Sequence, residues 1–331
     1  MFWKLSKNSP VKNILVITLS NIGDVVLSAP VMDILLRDFP LAKLSLVIGE
    51  RASSLFEGNS RISQIHIFDK MRTPLEHLRW TWGLRKYHYD LVIDLRNSMI
   101  GYFLTPKWMM PPLLFPDKTI HLKQQHLNRL RSLYDFEPKS ILPVTITPSL
   151  SDERLIDGLV NDFLEKDLPF IFIAPYAADL AKTWDAENFV NLSKELFIQY
   201  GLKIIMIGSA AQKENIDGII AKSGADILNL AGKTNLIQIA ALIKRAKVAI
   251  VHDSGPMHIA SYFNKPVIAL FGPTDPQCSS PWSSIFKVVH RNNECRRCLK
   301  PKDFSVLHNC MAAITQQDVL AAFAEVYGKV Q

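Results

Sequence analysis

The sequence predicts an α/β protein made of two doubly wound, parallel-sheet domains. Short apolar, β-rich runs alternate with stretches of helical spacing, and the alternation occurs twice along the chain, which is the pattern of parallel βαβ units. The first run, residues 14–19, is almost continuously apolar, as a strand covered on both faces must be. Between the two series, residues 135–152 are punctuated by Pro138, Pro143 and Pro148, a helix-poor texture typical of a domain boundary. The length of 331 residues suits two domains of ~150 residues each. The expected domains are 1–150 and 151–331.

In chain order, the first strand spans 13–19, and Ser20-Asn21-Ile22-Gly23-Asp24 turns it into a helix reaching residue 38. Strands at 43–48, 64–68 and 91–95 follow, with helical spacing over 75–86. The second half restarts with strands at 170–174, 203–207, 226–230, 248–251 and 267–271. Helices are expected at 186–200, 211–222, 236–245 and 255–263, and 316–327 reads as a final amphipathic helix. Ligands of such sheets bind outside the carboxyl ends of the strands. With two domains facing across a cleft, functional residues are expected just after strands.

Composition narrows the class. A chain with 48% hydrophobic and 21% charged residues builds real cores and is not a disordered tail. No uncharged apolar stretch approaches the ~18 residues of a membrane helix, and the first apolar run, 14–17, is too short for a signal-peptide core. Four cysteines (Cys278, Cys295, Cys298, Cys310) fall in the last sixth of the chain, unlike a secreted disulfide framework. A cytoplasmic protein is expected. The net charge is +7, and residues 61–131 hold twelve Lys/Arg against five Asp/Glu, so the whole excess sits in one segment. A localised basic surface suits an anionic partner, or serves simply as a solvated face.

Five strand-end or loop motifs can carry chemistry. In the 20–24 turn G-x-G-x-x-G is absent, which argues against a dinucleotide-dependent dehydrogenase. Asp24 can accept a proton from an attacking hydroxyl or simply cap the following helix. His252-Asp253-Ser254-Gly255-Pro256-Met257-His258 again runs from strand to helix. Its small residues and the helix N-terminus suit a phosphate or diphosphate, with Asp253 as cap being the plainer reading. Pro175-Tyr176-Ala177-Ala178 leads to Lys182-Thr183-Trp184, where Lys182 is either a phosphate-neutralising charge or an ordinary surface lysine. Phe271-Gly272-Pro273-Thr274-Asp275-Pro276 is a strand running into a turn, where Pro and Gly can also be purely structural. Cys295, Cys298, His308 and Cys310 read as a reduced, metal-free loop cluster, since their spacing is not that of a standard finger, with a tetrahedral zinc site as the alternative.

Together the motifs resemble the heptosyltransferases of lipopolysaccharide core assembly, glycosyltransferase family 9, over nearly the whole chain. The most specific stretch runs from Ala246-Lys247 through 253–258 to 271–276, with 13–30 and Lys182-Thr183-Trp184 in the right order. Cys295-Arg296-Arg297-Cys298 with His308-Asn309-Cys310-Met311 looks like a variable element of that family. The resemblance implies a GT-B fold of two Rossmann-like domains, acceptor on the N-terminal one and sugar nucleotide on the C-terminal one. It implies ADP-L-glycero-D-manno-heptose as donor and inversion at the anomeric carbon. Asp24 then matches the general base and Lys182 a residue near the donor diphosphate. Asp253, Ser254, Gly255, Pro256, Met257 and His258 match the donor loop, where some relatives have Thr in place of Ser254. Lys233 and Thr234, within Gly232-Lys233-Thr234-Asn235, match a stretch near the adenosine, and Tyr176 joins the donor set.

The basic segment, through Arg61, Lys70, Arg72 and Arg96, becomes the expected contact for a phosphorylated, lipid-linked saccharide acceptor. The same charges suit peripheral contact with the inner-membrane surface. Trp80, Trp82, Trp108 and the run 109–115 either dip into that interface or belong to the core, the commoner place for the tryptophans. No cofactor or resident metal is implied, because a lysine and a helix N-terminus take the place of one. The alternatives are a GT-B glycosyltransferase with another donor or acceptor, and a non-catalytic glycolipid-binding protein. A nucleic-acid binder accounts for the charge but leaves the 253–258 loop unexplained, so no nucleic acid is expected.

Overall fold

The computed structural model describes residues 5–112, 117, 119–137, 141–165, 168–291 and 309–330. The chain divides into two compact units, Met1–Thr147 and Pro148–Gln331.

In the first unit the elements are β1 (Asn13–Ile17), α1 (Ile22–Asp38), β2 (Lys43–Ile48), β3 (Ile62–Ile67), α2 (Pro74–Leu84), β4 (Leu91–Asp94), α3 (Ile100–Leu104), β5 (Trp108–Met109) and α4 (Leu122–Arg131). The strands form one sheet in the order β3-β2-β1-β4-β5, every pairing parallel. β1 lies at the centre and is wholly apolar from Ile14 to Ile17, all fully buried, because helices cover both faces of such a sheet. α1 is enclosed from Val25 to Leu36. One buried carboxylate fastens the end of the unit to it. Asp33 accepts the Val144 N–H at 3.1 Å, the Thr145 N–H at 2.8 Å and the Thr145 hydroxyl, which satisfies an otherwise costly buried charge.

The second unit comprises α5 (Leu150–Val160), β6 (Phe170–Ala174), α6 (Ala186–Tyr200), β7 (Lys203–Met206), α7 (Lys213–Ser223), β8 (Ile227–Asn229), α8 (Leu236–Arg245), β9 (Val248–His252), α9 (Gly255–Tyr262), β10 (Val267–Phe271), α10 (Pro276–Ser279), β11 (Phe286–His290), α11 (Asn309–Ala312) and α12 (Gln316–Gly328). Its sheet runs β8-β7-β6-β9-β10-β11, again all parallel. Residues of β6, β9 and β10 are buried throughout.

In each sheet the chain builds outward from the first strand, then returns and builds in the opposite direction. The reversal falls between β1 and β4 in the first unit and between β6 and β9 in the second. At such a switch point adjacent loops diverge to opposite faces and leave a crevice at the carboxyl edge.

Several details depart from the sequence expectations. β1 ends at Ile17, not residue 19, because the Thr18 hydroxyl bonds the Leu19 carbonyl as the chain turns away. The edge strands β5 and β11 and the helices α4 and α5 were not anticipated. Neither Asp24 nor Asp253 is a helix cap, since Asn21 and Ser254 hold those positions. Trp108 is buried, whereas Trp82 is 61% exposed.

Candidate active site

The second unit gathers its chemistry at the β6/β9 switch point. β6 and β9 are hydrogen-bonded neighbours, so the loop after β6 meets the loop after β9 although the two are far apart in sequence. Lys182 Nζ donates to Asp253 Oδ2 at 2.6 Å. The Thr274 hydroxyl, from the turn after β10, donates to the same oxygen at 2.8 Å. His258 Nε2 stands 4.0 Å from Asp253 Oδ1. Asp253 is therefore the hub of a charged cluster, with its side chain only 8% exposed against 23% for Lys182. The plain surface-lysine reading of Lys182 does not hold.

The approach to Lys182 is fixed from several sides. Asp179 caps a short 3-10 turn, Leu180–Lys182, by accepting the Ala181 N–H at 3.0 Å, and Thr183 Oγ1 accepts the Ala177 N–H at 3.2 Å. Trp184 is fully buried. Its backbone N–H donates to His252 Nε2 at 2.9 Å and its indole N–H to the Ile314 carbonyl at 2.9 Å. Accepting at Nε2 puts the His252 proton on Nδ1, and burial pushes its pKa down to about 4, so the ring is neutral. Gly272 packs closely beside this segment, since a β-carbon there would stand 2.6 Å from Met311 Sδ and 3.2 Å from the Ala181 carbonyl oxygen.

α9 opens at this cluster. Ser254 is its N-cap, yet the Ser254 hydroxyl donates to the His252 carbonyl at 3.2 Å instead of accepting from the helix. Gly255 and Pro256 form the first turn, which carries no side-chain cap bond. A helix start of this kind presents partial positive charge to an anion. Met257 packs fully into the core and its N–H is taken by the Ser254 carbonyl at 3.1 Å, so it shapes the loop from behind. The His258 ring is buried and stacks on Trp282 at 5.7 Å and 25°. Tyr176, half-buried after β6, has its phenol pKa raised by burial. Lys233 and Thr234 lie after β8 on the same carboxyl edge. Lys233 is exposed, and Thr234 Oγ1 is buried with no hydrogen-bond partner among the described residues. The Gly232 N–H bonds the Gly208 carbonyl at 2.9 Å, joining the loops after β7 and β8.

In the first unit the β1/β4 switch point holds Asp24 and Arg96. Asp24 is half-buried in the first turn of α1 and accepts from Asn21 Nδ2 at 3.1 Å. Arg96 Nη1 donates to Ser20 Oγ at 2.9 Å and to the Thr18 carbonyl at 3.3 Å, and its guanidinium lies 3.7 Å over the Phe68 ring. It thus braces the loop that leads to Asp24. Gly49 completes the fit, because a β-carbon there would collide with the Ser20 backbone, 2.8 Å from its Cα. Asp94, buried at the end of β4, is pushed up by desolvation while the Ser98 hydroxyl, bonded to it at 2.8 Å, pulls the other way.

The remaining basic residues separate. Lys70 and Arg72 follow β3 on the carboxyl edge, with Arg72 donating to the Ile67 carbonyl at 3.2 Å. Arg61 does not join them. It precedes β3 at the amino edge and donates to the Pro40 carbonyl at 2.9 Å and the Leu36 carbonyl at 3.4 Å, closing the far end of α1. Of the cysteine cluster, Cys295, Cys298 and His308 lie outside the described residues, and Cys310 is buried. Among the described residues no group of three or more His, Cys, Asp or Glu is arranged to hold a metal ion.

The sequence marks the 271–276 turn but gives Thr274 within it no role, and no spacing marks Trp282. Nor does it show the bracing role of Arg96, because the contact with Ser20 spans β1 and β4.

The family model for glycosyltransferase family 9 (heptosyltransferase) matches residues 130–306. Lipopolysaccharide heptosyltransferase 2 of Escherichia coli is 32% identical over 166 residues, 48% of this chain and 47% of that protein, so the match spans about half the length of that relative. Lipooligosaccharide heptosyltransferase 2 of Haemophilus influenzae is 26% identical over 351 aligned positions covering 96% of this chain and 100% of the relative. The solved structure of E. coli ADP-heptose lps heptosyltransferase II superposes with a TM-score of 0.74 at 22% identity, covering 96% of this chain and 99% of that one. Likeness at that level concerns the fold, which is of the GT-B type with two Rossmann-like units.

Proposed function

The chain belongs to glycosyltransferase family 9, and from that membership we propose that it moves a heptose from ADP-heptose to a hydroxyl of a phosphorylated, lipid-linked saccharide of the lipopolysaccharide core, inverting the anomeric carbon. The observation that carries the reading is the Lys182–Asp253–Thr274 cluster at the start of α9. A lysine ammonium has three donors. It can keep its bond to Asp253 and still meet a diphosphate oxygen, so Asp253 and Thr274 aim the charge without consuming it.

In the proposed reaction the acceptor hydroxyl attacks the anomeric carbon from the face opposite the nucleotide. Its proton passes to Asp24, the new glycosidic C–O bond forms as the sugar–phosphate bond breaks, and ADP departs with the bonding pair. Charge grows positive on the sugar ring, as in other glycosyl transfers, and negative on the leaving phosphate. Lys182 and the amide end of α9 answer the second of these. Single displacement needs one base, which fits Asp24, the acid in the first turn of α1. The second unit takes the nucleotide, with Tyr176, Lys233, Thr234 and His258 around it. The first takes the acceptor, with Lys70 and Arg72 toward its phosphates and Arg96 bracing the base. Arg61 has no part in this reading, since it is occupied at the opposite edge. The enzyme is proposed to work at the cytoplasmic side of the inner membrane, in peripheral contact with it.

Calorimetric titration with ADP, UDP and GDP tests the reading. Selective binding of ADP is expected. A preference for UDP or GDP overturns the donor, and silence from all three at millimolar ligand overturns the transferase.

A further inference from the structure

We propose that the outward face of α2, with α3 packed beside it, is the surface that seats the protein on an anionic lipid bilayer. The inference deepens the reading above and rests on its lipid-linked acceptor.

α2 is an eleven-residue helix with two apolar faces where a soluble helix needs one. Thr81 and Leu84 are buried, and half-buried Trp80 sets its edge against Phe68 at 6.0 Å and 82°. That face anchors the helix. Leu75, Leu78 and Trp82 point away from it at spacings of three and seven, which line up as one stripe. They are 57%, 46% and 61% exposed. α3 packs against α2, and Met99 and Phe103 at and within it are also exposed, 64% and 43%.

Charge decides the occupant. Residues 70–86 hold Lys70, Arg72, Arg79, Arg85 and Lys86 against the single acid Glu76, and Glu76 is engaged with Thr73 in the capping box that starts the helix. Arg79 falls within the apolar stripe itself, and the Arg85 guanidinium lies 4.4 Å over the Trp82 ring. Apolar side chains interleaved with cations, and an indole paired with a guanidinium, are what the headgroup region of an anionic leaflet accepts. An apolar protein partner gives no reason for the cations.

The placement also suits a lipid-borne acceptor. From the outward stripe, contacts run inward through Trp80 to Phe68, from Phe68 to Arg96, and from Arg96 to Ser20 beside Asp24. The bilayer-facing helix is thus braced to the loop that leads into the first turn of α1, where the proposed base stands.

The test is sedimentation of the full chain with vesicles of phosphatidylethanolamine plus phosphatidylglycerol, and with vesicles of phosphatidylcholine alone, without donor or acceptor. The wild type is expected to partition to the anionic vesicles at least about tenfold more strongly than the Leu75→Ser/Leu78→Ser/Trp82→Ser variant. An Arg79→Gln/Lys86→Gln variant should lose most of the anionic preference. ADP titration of each protein separates this inference from the transferase reading, because unchanged ADP binding with lost vesicle binding assigns the defect to the surface. Wild type that ignores anionic vesicles, binds both kinds equally, or binds as well after the serine changes overturns the proposal. So does self-association through the stripe in place of vesicle binding.

Discussion

Replacing Lys182 by Met keeps the aliphatic stem and removes the charge, leaving Asp253 with the Thr274 hydroxyl and no cation at 2.6 Å. Breaking a fully buried ion pair costs ~3–5 kcal/mol, while an exposed pair contributes ~0–1 kcal/mol. With Lys182 nearly a quarter exposed, Asp253 almost wholly buried and one hydrogen bond retained, the loss should be about 2 kcal/mol. That is a fall of about 4–8 °C in Tm for a unit of this size. ADP binding should weaken separately, by roughly ten- to a hundredfold, for one charge-assisted hydrogen bond to phosphate. The double variant Lys182→Met/Asp253→Asn distinguishes the two effects. It no longer buries an unmatched charge, so its Tm should return to within about 2–4 °C of wild type, while ADP affinity stays low. Thermal melts and calorimetry on the four proteins of the cycle supply both readings. A double variant as unstable as Lys182→Met refutes the ion-pair argument, and wild-type ADP affinity in Lys182→Met refutes the placement of the diphosphate.

Three further outcomes are expected. Asp24→Asn should lower kcat by ~100- to 10,000-fold with the melting curve unchanged, and near-wild-type turnover would remove it as the base. Gly49→Ala should displace the Ser20 backbone, destabilising the first unit by ~1–3 kcal/mol and lowering turnover while ADP affinity is kept; normal turnover would show that the loop tolerates the shift. His252 has a folded pKa of about 4 against an ordinary 6.5, so on acidification the unfolded chain binds a proton first. Its contribution is intact above pH ~6.5 and declines as pH falls toward ~4, by at most ~1.4 kcal/mol per pH unit. Urea unfolding across that range should show the slope and His252→Gln should reduce it, whereas equal slopes would mean that other groups set the pH dependence.

Much of this fold is legible in the chain because a strand covered on both faces must be apolar almost without interruption. Residues 14–17, 170–174 and 267–271 declare themselves in that way. The rule fails at two of the four sheet edges. β5 has only two residues, and in β11 Phe286 and Lys287 are exposed, so neither carries a buried-strand pattern. α5 hides in a stretch that its neighbouring prolines make look like a linker, although Ser149 and Asp152 form a capping box. Motif position is readable too, since loops after strands must reach the carboxyl edge. Strand order is not. That β9 lies beside β6, and hence that Asp253 meets Lys182, follows from where the crossover helices pack. The same limit separates Arg61 from Lys70 and Arg72, which look alike in sequence and stand at opposite edges. Trp80 and Trp82 are two positions apart on a helix apolar on both sides, so composition alone does not say which one faces the core.

The wholly parallel pairing of the second sheet has a kinetic corollary. No two of its neighbouring strands can be joined by a tight hairpin, so each pairing must wait for a crossover to close. The β6–β9 contact comes last in that logic, because it closes over β7 and β8 as well as the helices between. Long-range closures of this kind are slow. Competence to bind nucleotide should therefore emerge after most helical signal has returned during refolding, and a ligand present at that stage draws the population forward by mass action. The Lys182–Asp253–Thr274 cluster is in this sense a seal on the finished unit, formed only when both halves of the sheet are in place.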